Sequence, residues 1–476
     1  MGSQELLLYD IDDSIISPPS VADWEKKSFS GIQKSELMKK LGTSPDVFAD
    51  ALLMIGTSFL PTFPALQDVS ITTRQPFHIG DAINLLRTSE KSVTATCAAF
   101  NDILQVQDPN WLDKFRKAKM GVKHCITVNE DGSTHVREFD TITKDNHEYL
   151  GLQLPPELYH YLSQVIVGPR LLNIFASSEI LVFPTLDGVI SDEYKRLVTQ
   201  QLVPLKEQTA ALMSPRINRG FQYRDIKMRY WFDGNLEHKL NHRNMQPNTF
   251  ADTWSVRDQE LKSQESATST TSGKLPFALL SLENKEFCLK TIPKDPKEKI
   301  TGLNSKKEIL SNALWRLLHL RGYINDQHEL TAWGKALRVT VKALGPTIKT
   351  FGDVHHIEEA TFLAYELIRF DNLHTRNRHP ELIGGPLRGS DDDKASCILI
   401  GRTACLLKLR HQKIGYTGPL SKNFLAFHSI IKAVRETDRD LLEAVLASMF
   451  LSNQINRDRD DFSDLGRRYL RPRLLT

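Results

Sequence analysis

Between Ser44 and Gly56, apolar residues recur at helical spacing, and this is the first segment of the chain with clear signals for both ends of a helix. Ser44 is a favourable N-cap, Pro45 suits the first helical position, and Gly56 suits the end of a helix. The pattern therefore predicts a helix with one apolar face between them. Two other apolar segments, 6–9 and 171–183, predict short buried strands.

The C-terminal part has a stronger helical pattern. Ser305 and Glu308 form a capping-box signature, in which each side chain satisfies an N–H of the first turn. The apolar face that follows ends at Gly322, and after a short strand and a polar turn a second helix is predicted over 331–344, closed by Gly345-Pro346. This order resembles half of a winged-helix module. Further helices are predicted over 357–370, 422–435 and 438–451.

A Ser/Thr-rich segment precedes this helical part. Seven of the eleven residues from 263 to 273 are Ser or Thr, and prolines and lysines make up most of residues 290–299. Such a composition buries little apolar area, so we expect a flexible connector and a domain boundary within 263–302. The fold class predicted for the whole chain is mainly α with minor β.

Composition adds several exclusions. The chain has 476 residues and a net charge of +3, which is too small to indicate a nucleic-acid or membrane partner by itself. Its five cysteines form no C-x-x-C pair, which favours a reducing, intracellular compartment over a zinc ribbon or disulfide scaffold. The longest uncharged apolar stretch, 51–67, contains one glycine and two prolines and is not expected to span a membrane. His355, His356 and Glu359 have no further ligand at a marked spacing, so no metal site is predicted there.

The segment 48–61, FADALLMIGTSFLP, resembles a signature of the XPG/flap-endonuclease family. In that family a helix leads into a Gly-x-Asp-Tyr-Leu-Pro-like turn whose aspartate helps to hold the catalytic metal. Residues 81–87 lie where the family places a helix–turn–helix element, and residues 6–9 resemble a strand of the same domain. The resemblance covers residues 1–90 and implies the C-terminal part of an XPG/PIN-like nuclease domain.

Within this family, three segments are similar in sequence to the fungal maintenance-of-killer-toxin (Mkt-type) regulators: Leu-Pro-Thr-Phe-Pro at 60–64 and the extension segments 317–324 and 330–334. This resemblance implies a non-catalytic post-transcriptional role in mRNA fate or translation, in the cytoplasm and in polysomes or RNA granules. It also implies an ataxin-2-like partner linked to poly(A)-binding protein, with mRNA as a second candidate ligand. The predicted segments are a nuclease-like remnant (1–90), a mixed helical middle domain (91–262), a linker (263–302) and a helical, winged-helix-like C-terminal domain (303–476).

Three departures from the family pattern argue against catalysis. Ser58 stands at the position of the metal-binding aspartate, and a neutral hydroxyl is a poor magnesium ligand. The first acidic ligands of the family would precede Leu6, where this chain offers only Glu5, so we expect the natural chain to be longer. Residues 64–66, Pro-Ala-Leu, also replace a glycine-type turn that would bring backbone amides to a phosphate. We therefore expect a pseudo-nuclease with no cofactor; the alternative is an active structure-specific nuclease that uses Mg²⁺.

Cations and aromatic residues are interleaved between residues 216 and 243, where seven Lys or Arg accompany three Asp or Glu. Single-stranded RNA is bound by this chemistry, because cations contact phosphates and aromatic faces stack on bases. The competing interpretation is that the aromatic residues belong to the core and the arginines extend around them; the Tyr-Trp-Phe run at 230–232 fits a buried strand. A single-stranded RNA-binding module is thus the second alternative function. Its candidate residues are Arg216, Arg219, Arg224, Lys227, Arg229, Tyr230 and Arg243.

Overall fold

The computed structural model divides the chain into two compact units, Met1–Gln153 and Leu154–Thr476. Both consist mainly of helices with small sheets, so the predicted mainly α fold with minor β is confirmed. None of the helices in the described ranges combines the length and apolar character that a bilayer crossing requires. The structure describes residues 4–9, 14–16, 31–68, 71, 77–128, 134–142, 154–217, 219–245, 255–291, 302–351, 357–376, 388–406 and 421–456.

Short helices surround one apolar core in the first unit, and two antiparallel strand pairs, β1–β2 and β3–β4, accompany them. Pro45 begins helix α2 as predicted, although the Ser44 side chain makes no capping hydrogen bond. The elements are a 3₁₀ helix (Gln4–Leu8), β1 (Ser14–Ile16), β2 (Gly31–Gln33), α1 (Lys34–Leu41), α2 (Pro45–Met54), α3 (Pro64–Gln67), α4 (Ile79–Thr88), α5 (Val93–Ala99), α6 (Asn101–Gln107), α7 (Trp111–Lys123), β3 (Ile126–Val128), β4 (Thr134–Val136) and a 3₁₀ turn (Phe139–Thr141).

Trp111 of helix α7 fixes the chain between α2 and α3. Its fully buried ring meets Phe63 edge-on at a centroid distance of 4.8 Å and stacks on Phe115 at 5.5 Å. Its Nε1–H donates to the carbonyl oxygen of Pro61 at 2.8 Å. A buried indole N–H needs an acceptor, and here that acceptor is the turn itself. The turn after α2 is therefore held by the core.

The second unit begins with helices and a three-stranded sheet and continues into longer helices. In the sheet, β5 runs parallel to β6 and β6 runs antiparallel to β7, with β5 at one edge. The first elements are α8 (Pro156–Ser163), α9 (Pro169–Ser177), β5 (Glu179–Val182), α10 (Asp192–Arg196), a π-helical turn (Leu197–Gln201), α11 (Val203–Met213), a 3₁₀ turn (Ser214–Arg216), α12 (Arg219–Gln222), β6 (Lys227–Tyr230) and β7 (Asp233–Lys239).

Some of the remaining elements of this unit form a second apolar cluster around Trp315 and Phe277. Others contribute buried residues to the apolar core of the elements just described. Ile324 and Leu330 pair antiparallel between two of the helices. The elements are α13 (Asp258–Thr268), α14 (Leu275–Leu280), a 3₁₀ turn (Ser281–Glu283), α15 (Lys285–Thr291), α16 (Lys306–Leu320), α17 (Ala332–Phe351), α18 (Ile357–Arg369), α19 (Asp391–Leu406) and α20 (Lys422–Leu451).

Helix α20 is the centre of the second unit. It has 30 residues, and helices α8, α9, α11, α16 and α18 all pack against it. Its side chains from Leu441 to Phe450 are buried all around the helix. A helix with buried side chains on every side is surrounded by other helices of the core. Residues distant in sequence therefore meet at α20.

The two short strands predicted from the sequence, at 6–9 and 171–183, need correction. Residues 6–9 lie in and after the 3₁₀ helix, because Leu7 and Leu8 are both buried and consecutive residues of a strand would point to opposite faces. The segment 171–183 is mostly helix α9 and becomes strand only in β5. Pro169 starts that helix, and Ser178, at φ 58°, ends it.

The predicted flexible connector at 263–273 is instead ordered. Most of it belongs to helix α13, where Ser and Thr hydroxyls bond to carbonyl oxygens four residues earlier. After the helix, the Glu265 carboxylate accepts hydrogen bonds from the N–H and hydroxyl of Ser272 at 2.8 and 2.6 Å. The boundary between compact units falls after Gln153, far from the predicted one. Residues 292–301 lie outside the described residues.

The C-terminal helices confirm the sequence pattern but are longer. Both capping-box hydrogen bonds of Ser305 and Glu308 are present at the start of α16. Helix α17 continues through Pro346, which has no N–H to donate to the carbonyl of the exposed Lys342 one turn earlier. The helices predicted at 422–435 and 438–451 are one helix, α20. The winged-helix and PIN-like assignments stay predictions, and His355 and His356 lie outside the described residues.

Candidate functional site

The segment that resembles the nuclease signature forms a tight turn after helix α2. Gly56 has φ +98°, and a Cβ at this position would lie 2.6 Å from Oγ1 of Thr62, so the turn requires glycine. The exposed Ser58 sits beyond it, and its N–H and hydroxyl donate to the two carboxylate oxygens of Glu5 at 2.5 and 2.9 Å. The turn thus presents one hydroxyl and one carboxylate, already bonded to each other.

These residues do not fit a magnesium site. Two-metal hydrolysis needs several carboxylates that converge on the ions, and here Glu5 is occupied by Ser58. The neighbouring carboxylate of helix α2, Asp50, lies 2.8 Å from Nζ of Lys119; its burial raises its pKa, and Lys119 opposes this shift. No group of three or more metal-binding side chains occurs among the residues that the structure describes.

Two of the predicted RNA-binding cations lie together on the exposed face of the three-stranded sheet. Lys227 and Arg229 alternate along β6, as the period of a strand requires. Nζ of Lys227 lies 2.7 Å from Glu237, and Arg229 lies 3.0 Å from Glu179 and 3.7 Å from the same Glu237. Carboxylates from the two neighbouring strands therefore offset the positive charge of these two side chains, which the sequence pattern predicted to contact RNA phosphates.

Two more candidates lie where helix α12 turns into the sheet. Arg243 lies 2.8 Å from the Asp225 carboxylate and also bonds to the carbonyl of Tyr223. The guanidinium of Arg224 lies 5.7 Å from the centre of the Phe221 ring. The side chain of Tyr223 is 75% exposed. This corner offers an exposed aromatic ring beside two cations, which is the chemistry expected of a base-stacking surface.

The remaining candidates do not join this surface. Arg216 has a structural role, since it donates to the Ser452 hydroxyl at 2.7 Å and to the Leu212 carbonyl at 2.6 Å. Tyr230 is buried, and burial raises its pKa to about 12, as the core interpretation of the aromatic run expects. Arg219 begins helix α12, and its side chain lies outside the described residues.

The second unit also contains a group of partly and fully buried charged residues that no sequence motif predicted. Arg170, Glu436, Arg439, Asp440 and Glu443 form what we call the charged junction. Arg170 of α9 reaches α20, where its Nε lies 2.9 Å from Asp440 and its Nη1 lies 2.7 Å from Glu436. Burial raises the pKa of Asp440 to about 6, although Arg170 opposes the shift. Buried charges persist only when they are paired in this way.

Glu443 makes the most enclosed contact of the charged junction. Its side chain is 2% exposed, and Oε2 accepts the backbone N–H of Gly168 at 2.7 Å while Oε1 accepts Nε–H of Arg439 at 2.5 Å. Gly168 is the residue before helix α9, so a carboxylate of α20 binds the N-terminal end of α9. A Cβ at residue 168 would lie 2.9 Å from Oε2, which explains the glycine.

A second buried group lies on the same stretch of α20. The fully buried Glu366 of α18 accepts Nε–H of Arg321 at 3.0 Å and the Tyr323 hydroxyl at 2.7 Å. Asp438 of α20 lies 3.4 Å from the same Arg321. Burial and the neighbouring Glu366 raise the pKa of Asp438, and Arg321 and Arg369 oppose this shift. These contacts bind α16, α18 and α20 into one body.

One sequence signal could have revealed both groups. The run Glu436-Thr437-Asp438-Arg439-Asp440 interrupts a strongly apolar segment without a glycine or proline. The sequence pattern predicts a break between two helices at residues 436–437, whereas the structure has one continuous helix there. In an uninterrupted helix, such a run must instead find charged partners inside the core.

The two stretches of sequence that supply the charged junction both lie within regions that match one protein family. Two profiles of one family, each described as "Temperature dependent protein affecting M2 dsRNA replication", match residues 143–232 (the MKT1 N-terminal region) and 316–469 (the MKT1 C-terminal region), about half of the chain. The chain belongs to the MKT1 family. Gly168 and Arg170 lie in the first matched region and Glu436, Asp440 and Glu443 in the second.

Curated relatives extend the similarity over most of the chain. The Post-transcriptional regulator MKT1 of Cryptococcus neoformans var. grubii is 26% identical and aligns with 98% of this chain and 60% of its own length. The protein of the same name in Saccharomyces cerevisiae is 26% identical over 70% of this chain and 40% of its own length. The chain thus spans about 60% or less of these relatives. No solved structure matches.

Proposed function

We propose that the chain is a post-transcriptional regulator that acts as a non-catalytic, protein-binding scaffold. The observation that carries this proposal is the similarity over 98% of the chain to a relative named as a post-transcriptional regulator. The turn at Ser58 supports the non-catalytic part, because its donor set suits a structural hydrogen bond and not a metal. The role is inferred for the region that this chain shares with its relatives.

The charged junction supports the scaffold part. Its charges are used internally, where they join helices from both family regions into one body with fixed surfaces. A rigid body of this kind binds partners with little ordering cost. Together with the resemblance seen in the sequence, this leads us to propose an ataxin-2-like partner linked to poly(A)-binding protein, in cytoplasmic polysomes or RNA granules. Affinity purification followed by peptide identification tests the partner; absence of both proteins would contradict it.

Tethering the chain to a reporter mRNA tests the regulatory role directly. The chain is fused to an RNA-binding tag that recognises a hairpin in the reporter, and both reporter protein and reporter mRNA are measured. We expect the tethered chain to change the protein made per mRNA and an untethered chain to have no effect. Equal output in the two cases would refute the proposal.

A matched variant separates the scaffold from the nuclease alternative. Glu5→Gln with Ser58→Ala removes the carboxylate and hydroxyl of the turn, and a scaffold should regulate the reporter as before. An active nuclease would instead cleave flap or single-stranded substrates in Mg²⁺ and lose this activity in the variant. Such cleavage would overturn the non-catalytic proposal.

Single-stranded RNA binding is a second candidate, favoured by one observation. Tyr223 is exposed beside Arg224 and Arg243, as a stacking residue among phosphate contacts would be. If the surface binds RNA, affinity should fall steeply with salt, and Arg224→Ala with Arg243→Ala should flatten that slope. Lys114→Ala in the first unit, which also removes an ion-paired surface cation, is the control. An unchanged slope in the double variant would return the arginines to a structural role.

A further inference from the structure

The outer edge of strand β5 has open backbone groups. In a parallel ladder, alternate residues of a strand bond to the neighbouring strand. The N–H of Lys227 donates to the Ser178 carbonyl at 3.0 Å, and the N–H of Trp231 donates to the Val182 carbonyl at 3.2 Å. Residues 178, 180 and 182 therefore face β6. The N–H and C=O of Leu181 point away from it, toward the edge of the sheet.

The open edge extends from Leu181 to Phe183. By the same alternation, the backbone groups of Phe183 point outward, and within the described chain the backbone of neither residue bonds to any other part of the protein. Glu179 closes one end, because the Ser177 hydroxyl bonds to both its N–H and its carbonyl at 3.2 Å. Pro184 closes the other. Two donors and two acceptors stand between these ends at two-residue spacing.

The side chains along this edge are apolar and exposed. Leu181 and Phe183 are 52% and 70% exposed, and Leu186 and Val189 in the following loop are 51% and 56% exposed. The loop is fixed, since the N–H of Leu186 donates to the Ser429 hydroxyl of α20 at 3.0 Å. Proteins usually protect strand edges with charge or proline within the strand, and an unprotected apolar edge marks a binding surface.

We propose that residues 181–183 bind an extended segment of a partner protein by strand addition. The partner segment would carry apolar side chains at alternate positions that pack on Leu181 and Phe183, and its backbone would pair with their N–H and C=O groups. This proposal deepens the scaffold function and rests on it, because it names the kind of partner segment that the scaffold takes.

The chemistry of the edge selects this occupant. Free amide groups at two-residue spacing match an extended chain, whereas a helix has already used its own backbone groups. A second copy of the chain is a poorer fit, because four exposed apolar side chains provide far less than the roughly 800 Å² per partner of a stable protein interface. A short segment needs only a short edge.

Selection from random peptides displayed on phage, with the full chain as bait, tests the site. Enriched peptides are synthesised with a fluorescent label and titrated by anisotropy. We expect apolar residues at alternate positions and binding at least about tenfold weaker to Leu181→Thr with Phe183→Thr, variants that keep strand propensity. Val106→Thr, which alters an 86% exposed valine of the first unit, should bind normally. Peptides N-methylated at the pairing positions should lose binding.

Residue-resolved hydrogen exchange supplies a readout of the backbone pairing. With peptide bound, exchange at the amides of Leu181 and Phe183 should slow by about tenfold or more, whereas those of Ile180 and Val182, already bonded to β6, should not change. Four results would each overturn the proposal. They are a selection without any enriched peptide, equal peptide binding to the double threonine variant, slowed amide exchange at other residues than Leu181 and Phe183, and self-association of the chain that the variant abolishes. If no peptide binds at residues 181–183 but the tethered chain still regulates its reporter, the scaffold function stands and the strand-addition site is refuted. If peptides bind there but the tethered chain does not regulate its reporter, the site stands and the regulatory role is refuted.

Discussion

Replacing Glu443 with alanine should destabilise the second unit by about 3–5 kcal/mol, the range for breaking a buried ion pair. The substitution removes the acceptor of the buried Gly168 N–H, which alone costs about 1–3 kcal/mol. It also leaves Arg439, whose side chain is only 19% exposed, without its carboxylate. These two losses share one carboxylate and are not independent, so the expected total stays within the range for one buried pair.

Two further variants separate the parts of this effect. Glu443→Gln keeps a carbonyl oxygen for the Gly168 N–H but loses the charge opposite Arg439, and it should cost roughly 1–3 kcal/mol. Glu436→Ala is the control, because it removes the same charge from the same helix at a pair in which both side chains are over a third exposed. Exposed pairs contribute at most about 1 kcal/mol, so the control should be nearly neutral.

Urea unfolding of the full chain, followed by circular dichroism, gives the free energies, and hydrogen exchange over α9 gives a local readout. The expected order of destabilisation is Glu443→Ala, then Glu443→Gln, then Glu436→Ala, with faster exchange at residues 168–177 in the first variant. If Glu443→Ala and Glu436→Ala were equally stable, the argument that burial sets the value of this contact would fail.

Three other variants test neighbouring arguments. Gly334→Ala should cost about 1–3 kcal/mol in urea unfolding, because its Cβ would overlap the Tyr323 carbonyl oxygen. Gly121→Ala in helix α7 is the control, because its Cβ would lie in open space, and it should stabilise by about 0.5–1 kcal/mol. Burial lowers the pKa of His328 from 6.5 to about 3, so the unfolded chain alone gains this proton as pH falls, and the stability present above pH 6.5 is lost toward pH 3. His328→Asn, which tolerates the local φ of +61°, should therefore remove about 1.6 kcal/mol of the loss measured between pH 6.5 and 5. Trp111→Phe should destabilise the first unit by about 1–2 kcal/mol in thermal unfolding, because the turn carbonyl loses its donor; unchanged stability would contradict the role of the indole.

Local sequence determined the elements whose cause is local. The helix that begins at Pro45 and the capping box at Ser305 follow from residues within one turn of each helix start, and the structure confirms both. The family resemblance was likewise visible in short stretches of sequence, and the comparisons confirm its Mkt-type part. For Tyr230 the sequence left two interpretations open, an RNA contact or a core residue, and only the structure shows that it is buried.

Tertiary structure decided where charges and polar runs go. The serines and threonines at 263–273 suit a loop or a helix equally, and helix α13 forms because Glu265 and neighbouring helices use them. The acidic run at 436–440 suits a break in water, yet Arg170 and Arg321 keep it helical from positions more than a hundred residues away. Likewise, the cations of β6 are interpretable as an RNA surface until the carboxylates of β5 and β7 are placed beside them. Hydrophobic periodicity is a local property of the chain, whereas the free energy of a buried charge depends on which distant partner the fold brings to it.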